Sequence, residues 1–466
     1  MDTGHKPLLA PWKSLVQAQP TAPALVDCST GRTYSRADVQ QLAEEMAARL
    51  PPRSRLHKRV IFRAPNGAPW LAMFLAIRDR GWVAVPVDPA TSDAQATQLA
   101  RAIKAAYLWL GEEPTLLTPR CGSRSTETAL IKITSGSTGL PKSFPFSDAA
   151  LAADGHNIIA TMGLRPADRH YALIPFGHSY GLGNLVAPLL LQGCTLVCGS
   201  VPLPNVIASE ILASGATVFP AVPAILSGLL RAEVSRETLA TLRLIISAGA
   251  PLDGTLSKAF EEHFGTKLHN FYGSSETGGI AYDHTGDSAV RGSGIGTPLN
   301  GVTVAISSKG RVQVTSAAVT NEGKTTGLSD ARRWQLADRG SWNERGEIAL
   351  LGRTDRTIKL SGRRVDLAEI EHSIRQTPGV SEAYCLAVAT PREHLIAAYT
   401  GDTAESAVWQ KLKLLLPAWK LPKRLIHCDA FPVTARGKLD RSALEARLTA
   451  SAENADLAKA FVPQLR

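Results

Sequence analysis

The feature that most constrains this chain is an alternation of helical and strand-like runs from residue 36 to about residue 274. Residues 36–50, RADVQQLAEEMAARL, carry Val39, Leu42, Met46 and Leu50 at helical spacing. KRVIFRA reads as a short buried strand, APWLAMFLAIRDRG as a helix ended by Gly81, and WVAVPVDP as the next strand. The pattern recurs: YALIPF (171–176) is a strand, and TLVCGS and ATVFPAVP are strands that bracket a helix over 204–213. LRLIISAGAPL and KLHNFYGSSETG are strands running into glycine-rich turns. Strands separated by helices predict parallel sheets with covering helices.

After about residue 295 the period changes. VTVAISSKGRVQVTS reads as an antiparallel hairpin and GEIALLGR as a further strand. From residue 356 a smaller α+β unit follows, with helices at DLAEIEHSIRQ and ESAVWQKLKLLL and strands at EAYCLAVAT, HLIAAYT and RLIHCDA. The 466 residues exceed one core of ordinary size, so two or three domains are expected. The polar stretch GRTDRT, 352–357, predicts the boundary: a domain of residues 1–354, a small mobile domain of residues 355–466, and a hinge near 353–357.

Composition narrows the function. The start, MDTGHKPLLAPW, lacks a basic region followed by an apolar core, so a signal peptide is not expected. The most apolar stretch, GLGNLVAPLLLQGCTLVC, is interrupted by Asn184, Gln192 and Gly193 and reads as buried structure, not a membrane span. Six scattered cysteines without a CxxC pair suit free thiols in the cytoplasm. A formal net charge of +10 favours anionic partners such as nucleotides or acidic carrier proteins. Zinc-finger and aromatic-basic signatures are absent, so nucleic acid is not an expected partner.

Five segments carry chemistry. TSGSTGLPK, 134–142, sets Thr134, Ser135, Ser137 and Thr138 around Gly136 and Gly139 and ends on Lys142. Glycines admit an anion to backbone N–H groups, hydroxyls add donors and lysine adds charge; a surface turn gives the same pattern. NFYGSSETGG, 270–279, offers Tyr272 to stack on a purine, Gly273 for close approach, and Ser275 beside Glu276. A glutamate is the hard oxygen ligand that Mg²⁺ takes beside phosphates, or simply a helix N-terminal charge. LADRGSW holds Asp338, suited to a ribose diol or a turn cap. GRTDRTIKLSGRRV and PVTARGKLDR, with Lys438, complete the set; alone the last is a basic turn.

In this order the five segments resemble the adenylate-forming superfamily of acyl-CoA synthetases, nonribosomal-peptide adenylation domains and luciferases. The phosphate loop matches over 134–142, the adenine and magnesium loop over Tyr272 to Glu276, with Ser275 in place of threonine, and the C-terminal lysine motif over Pro432 to Arg441. Asp338 falls at the ribose position, although Leu336-Ala337 replaces the usual Thr-Gly; Gly352-Arg353 falls on the hinge segment; Ser143 stands where glycine is usual. The resemblance covers about residues 20–448, with 89–134 short for the family.

The resemblance implies an α/β fold: a large N-terminal domain of layered sheets with covering helices and a barrel-like subdomain, and a mobile α+β C-terminal domain. It implies an AMP-forming acid–thiol ligase that uses ATP, Mg²⁺ and coenzyme A, or the phosphopantetheine of a carrier protein. Lys142 and Thr134 to Gly139 would hold the β- and γ-phosphates, and Glu276 the Mg²⁺. Gly249, Asn270, Tyr272, Gly273, Ser275, Asp338, Arg353 and Arg364 would line the nucleotide site. Lys438 would bridge substrate carboxylate and ribose, and Asp355 would be the pivot. Gly362 would line the thiol tunnel, and Val222, Ser247, Ala248 and Gly278 the acyl pocket.

PFGHSYGLG has Gly177 where amino-acid-activating relatives carry the aspartate for the substrate ammonium, and then His178, which resembles the carboxylate-side histidine of acyl- and aryl-CoA ligases. An aryl or medium-chain acid is expected, with CoA as acceptor. The alternatives are an acyl carrier protein acceptor, for which residues 411–441 offer eight basic residues against two acidic, and a non-catalytic nucleotide-binding homologue.

Overall fold

A computed structural model describes residues 7–51, 58–117, 127–134, 142–292, 294–326, 330–353, 357–360, 363–388, 394–416, 418–434 and 439–460. The chain divides into two compact units, the first of residues 1–305, 313–335 and 343–348, the second of residues 306–312, 336–342 and 349–466.

In the first unit the alternation builds two sheets. A nine-stranded sheet runs in the order Thr297–Pro298, Gly278–Tyr282, Leu268–Ser274, Leu244–Ser247, Val218–Ala221, Arg169–Ala172, Thr195–Cys198, Pro23–Asp27, Arg32–Ser35. Its six central strands, from Leu268–Ser274 to Pro23–Asp27, are parallel, and the edge strands turn back antiparallel. The second sheet has six strands, in the order Thr115–Leu116, Tyr107–Trp109, Arg59–Phe62, Val83–Pro86, Leu130–Thr134, Lys142–Phe146. Strands such as Val83–Pro86, Thr195–Cys198 and Leu244–Ser247 are buried at every position, which is why they read as continuous apolar runs. Helix Ala68–Asp79 contributes Trp70 and Phe74 to the large core, which draws residues from both sheets; it is apolar on nearly every face because nearly every face is buried.

Two differences from the sequence reading have physical causes. Only the first two residues of the run 171–176 are strand, the end of Arg169–Ala172. Beyond it the Asn66 amide takes over the main-chain pairing: Nδ2 donates to the Ile174 carbonyl (2.9 Å) and Oδ1 accepts from Phe176 N–H (2.9 Å). The apolar run 181–198 divides into a helical stretch, Ser179–Gly181, a π-turn Leu182–Val186 and Ala187–Gln192, and the strand Thr195–Cys198. Gly193, at φ +82°, ends the helix. No helix among the described residues is long and apolar enough to cross a membrane.

Strands Thr303–Ile306, Arg311–Ser316, Lys324–Thr325, Arg332–Trp342 and Ile348–Arg353 form a five-stranded sheet where the resemblance implies a barrel-like subdomain. In the second unit Val380–Val388 pairs antiparallel with His394–Gly401, which runs parallel to Arg424–His427. Helices Leu367–Arg375 and Glu405–Leu415 supply Ile370, Ile374, Val408 and Leu412 to one core, and helix Arg441–Ala460 supplies Leu444 and Leu448 to another. The five described cysteines are free thiols.

Candidate active site

The parallel strands of the nine-stranded sheet deliver several of the predicted residues of the first unit to one edge. His178 follows Arg169–Ala172, Val222 follows Val218–Ala221, Ala248 and Gly249 follow Leu244–Ser247, and the Glu276 turn follows Leu268–Ser274. Ladder pairs Ala221↔Ser247 and Ser247↔Asn270 keep these strand ends level. The carboxyl edge of a parallel sheet is where open α/β folds bind ligands.

Glu276 sits in the turn of a hairpin formed by Leu268–Ser274 and Gly278–Tyr282. Its N–H donates to Ser274 Oγ (3.2 Å), its carbonyl accepts from Thr320 N–H (2.8 Å), and Ser274 Oγ contacts Thr277 Oγ1 at 3.0 Å. The main chain is therefore pinned, while the half-buried Glu276 carboxylate has no hydrogen bond or ion pair among the described residues. Gly273 is required by crowding: a Cβ there would lie 2.8 Å from the Gly278 carbonyl oxygen. Gly278, at φ +72°, supplies the left-handed turn.

Thr134 and Lys142 are opposed in the ladder between Leu130–Thr134 and Lys142–Phe146, so the two ends of the expected phosphate loop meet. Ser135, Gly136, Ser137, Thr138, Gly139, Asp355, Gly362 and Lys438, and the side chains of Thr134 and Arg364, lie outside the described residues. Asp338 belongs to the second unit, where Arg353 Nη1 reaches its Oδ1 at 3.5 Å. Tyr272 pairs with Ala281 across the hairpin, Asn270 is buried, and Ser275 is half-buried. Val222, Ser247 and Ala248 are buried, and Ser247 Oγ has no hydrogen-bond partner among the described residues.

His178 Nε2 lies 3.2 Å from Asp88 Oδ2, a partner the sequence reading passed over although Asp88 ends the strand it recognised. Gly177 packs on Pro86: a Cβ there would approach Pro86 Cβ to 2.9 Å, so a larger residue would not fit without displacement. Tyr180 Oη donates to the Ile246 carbonyl (2.9 Å), with the Ala221 carbonyl 3.3 Å away, and burial holds its phenol well above the usual range.

Two further charges lie beneath the Glu276 turn. Asp154, on helix Asp148–Met162, accepts from Gly279 N–H at 2.9 Å. Lys132, in strand Leu130–Thr134, is buried and places Nζ 4.1 Å from the Phe146 ring centroid. Burial lowers the Lys132 pKa, and the charges of Asp154 and then Glu276 oppose that shift. Burial raises Asp154, opposed by Lys132 and the Gly279 N–H. The signal for Lys132 was present as a lysine inside the apolar run LIKIT.

The model of the AMP-binding enzyme family matches residues 12–126 and 112–319. The chain belongs to the AMP-binding enzyme family. Among curated relatives of this adenylate-forming family, it is 27% identical over 518 residues to a probable non-canonical nonribosomal peptide synthetase, CymA, of Salinispora arenicola, covering 98% of this chain and 6% of that protein. It is 26% identical over 371 residues to a probable CoA ligase, CCL9, of Humulus lupulus, covering 73% of this chain and 69% of that one. The chain thus spans only a small fraction of the synthetase it matches. In fold it resembles Klebsiella oxytoca NpsA, solved in complex with 3-hydroxyanthranilyl-AMSN, with a TM-score of 0.80, 21% identity and coverage of 96% of this chain and 100% of that one.

Family members bind ATP or AMP, and the residues present fit such a ligand with Mg²⁺. The carboxylate of Glu276 has no hydrogen bond or ion pair among the described residues, and Gly249 and Gly273 are exposed. No cluster of three or more metal-ligating side chains occurs among the described residues. A glutamate carboxylate is a hard oxygen donor of the kind Mg²⁺ takes beside phosphate oxygens.

Proposed function

We propose that this chain joins an aryl or medium-chain carboxylic acid to ATP and then passes the acyl group to the thiol of coenzyme A. In the first step a carboxylate oxygen of the acid bonds to the α-phosphorus of ATP. The bond from that phosphorus to the bridging oxygen breaks, and pyrophosphate leaves. In the second, the thiol sulfur bonds to the acyl carbon, AMP leaves, and the thiol proton is lost.

The observation that carries this reading is the pinned turn that presents an unengaged Glu276 carboxylate at the carboxyl edge of the sheet. Bound Mg²⁺ would supply charge neutralisation of the phosphates, and Glu276 would hold it. Lys142 would add positive charge against the leaving group, where electrostatic stabilisation is worth most. Asp88 would orient His178 beside the acid's carboxylate. Lys438 would approach substrate and ribose from the C-terminal domain, and rotation about Asp355 would then withdraw it. Gly177 carries no carboxylate for an α-ammonium, which favours acids without one.

Thioester formation from a panel of aryl and alkyl acids, with CoA and with a phosphopantetheinylated carrier protein as alternative acceptors, tests the reading. Acid-dependent acyl-CoA is expected. Thioester on the carrier alone would replace CoA as acceptor, and ATP binding without turnover of any acid would favour the non-catalytic homologue.

A further inference from the structure

Lys132 and Asp154 are out of place in an apolar core. Lys132 is 3% exposed and Asp154 5%. Among the described residues Lys132 Nζ makes no hydrogen bond or ion pair; its close neighbour is the Phe146 ring. Asp154 uses Oδ1 for Gly279 N–H and leaves Oδ2 without a hydrogen bond among the described residues. The two side chains act on each other electrostatically without forming a direct ion pair. Burying opposite charges without joining them is unfavourable, and replacing them with apolar groups is often neutral or stabilising. Packing alone gives no reason for the pair.

Their surroundings suggest one. The Asp154 carboxylate is wedged between two bare glycines. A Cβ on Gly278 would lie 2.2 Å from Oδ1, and a Cβ on Gly183, in the helical stretch after His178, 3.1 Å from Oδ2. The carboxylate therefore lies directly behind the Gly278 wall, on the side of the His178 helix. A small neutral group that both donates and accepts would donate to Asp154 and accept from Lys132. A hydroxyl does both; a methylene does neither.

We infer that Lys132 and Asp154 form a polar end to the acyl site and select carboxylic acids carrying a hydroxyl group remote from the reacting carboxylate. This rests on the preceding reading of Gly278 as a wall of that site.

The test uses matched pairs: hydroxybenzoates against benzoate, and ω-hydroxyalkanoates against the parent alkanoates. Two quantities are measured on the full chain, kcat/KM for acid-dependent pyrophosphate release and calorimetric binding of the acid with AMP and Mg²⁺ present. For at least one pair the hydroxylated member should be favoured by about 10- to 100-fold in both, the usual consequence of leaving buried polar groups unpaired. Lys132→Met should bring that ratio near unity. The double variant Lys132→Met/Asp154→Asn keeps the Gly279 hydrogen bond, guards against misfolding from an uncompensated charge, and should do the same. Equal or inverted preference in the wild type, no binding of any member, or an undiminished ratio in the double variant overturns the inference. Hydroxyl-selective binding without pyrophosphate release would sustain it and overturn the catalytic reading instead.

Discussion

Replacing Gly278 by alanine probes the turn that holds Glu276, and Gly163→Ala is its matched control. Both glycines are left-handed, at φ +72° and +61°. That conformation costs an alanine about 1–2 kcal/mol, offset by about 0.4–1 kcal/mol from the stiffer unfolded chain. Gly163 caps helix Asp148–Met162, and a Cβ added there would meet nothing within 4 Å, so its net cost should be about 1 kcal/mol or less. At Gly278 the same methyl would overlap Asp154 Oδ1 and expel it from the Gly279 N–H. Losing a hydrogen bond to a charged group adds about 1.5–3 kcal/mol, so Gly278→Ala should cost about 2–4 kcal/mol in all. Urea unfolding followed by tryptophan fluorescence measures both variants, and pyrophosphate release measures turnover. Gly163→Ala should retain turnover and Gly278→Ala should lose most of it. Equal destabilisation by the two would refute the claim that Asp154 braces this turn.

Other outcomes follow from the same geometry. His170 is fully buried with Nδ1–H donating to the Asn184 carbonyl at 3.0 Å, and burial pushes its pKa down from 6.5 to about 4. The unfolded chain takes up that proton first, so stability should fall as pH drops from about 6.5 to about 4, by about 3 kcal/mol in total; His170→Gln should flatten that part of a denaturation–pH profile. His178→Ala should lower kcat/KM for adenylation by about 10²-fold, with Asp88→Asn giving a partial loss; steady-state kinetics unchanged in both variants would remove the pair from the mechanism. Lys438→Ala should lose most adenylation yet convert supplied acyl-adenylate and CoA at close to the wild-type rate, and Asp355→Pro should do the reverse; equal slowing of both half-reactions by Lys438→Ala, measured separately, would count against a rotating hinge.

Much of this architecture was readable because parallel strands buried on both faces leave apolar runs between helices. Val83–Pro86, Thr195–Cys198 and Leu244–Ser247 were visible for that reason. The end of the 171–176 run was not, because Asn66, more than 100 residues away in sequence, decides it. The turn around Glu276 could be placed from its glycines and hydroxyls. Its support could not: Asp154 lies on a helix whose many buried faces give little periodic signal, and Lys132 breaks an otherwise apolar strand. Asp88 was legible as a strand end, but its approach to His178 depends on where two neighbouring sheets bring their loops.

The most direct test of the central claim is acid-dependent exchange of labelled pyrophosphate into ATP by the wild-type chain and by Glu276→Gln. Exchange reports formation of the acyl-adenylate alone and needs no thiol acceptor. Exchange that requires both a carboxylic acid and Mg²⁺, and that falls by about 10²-fold or more in the variant, is the result predicted here. Exchange independent of added acid, or retained with unchanged Mg²⁺ dependence in Glu276→Gln, would contradict it.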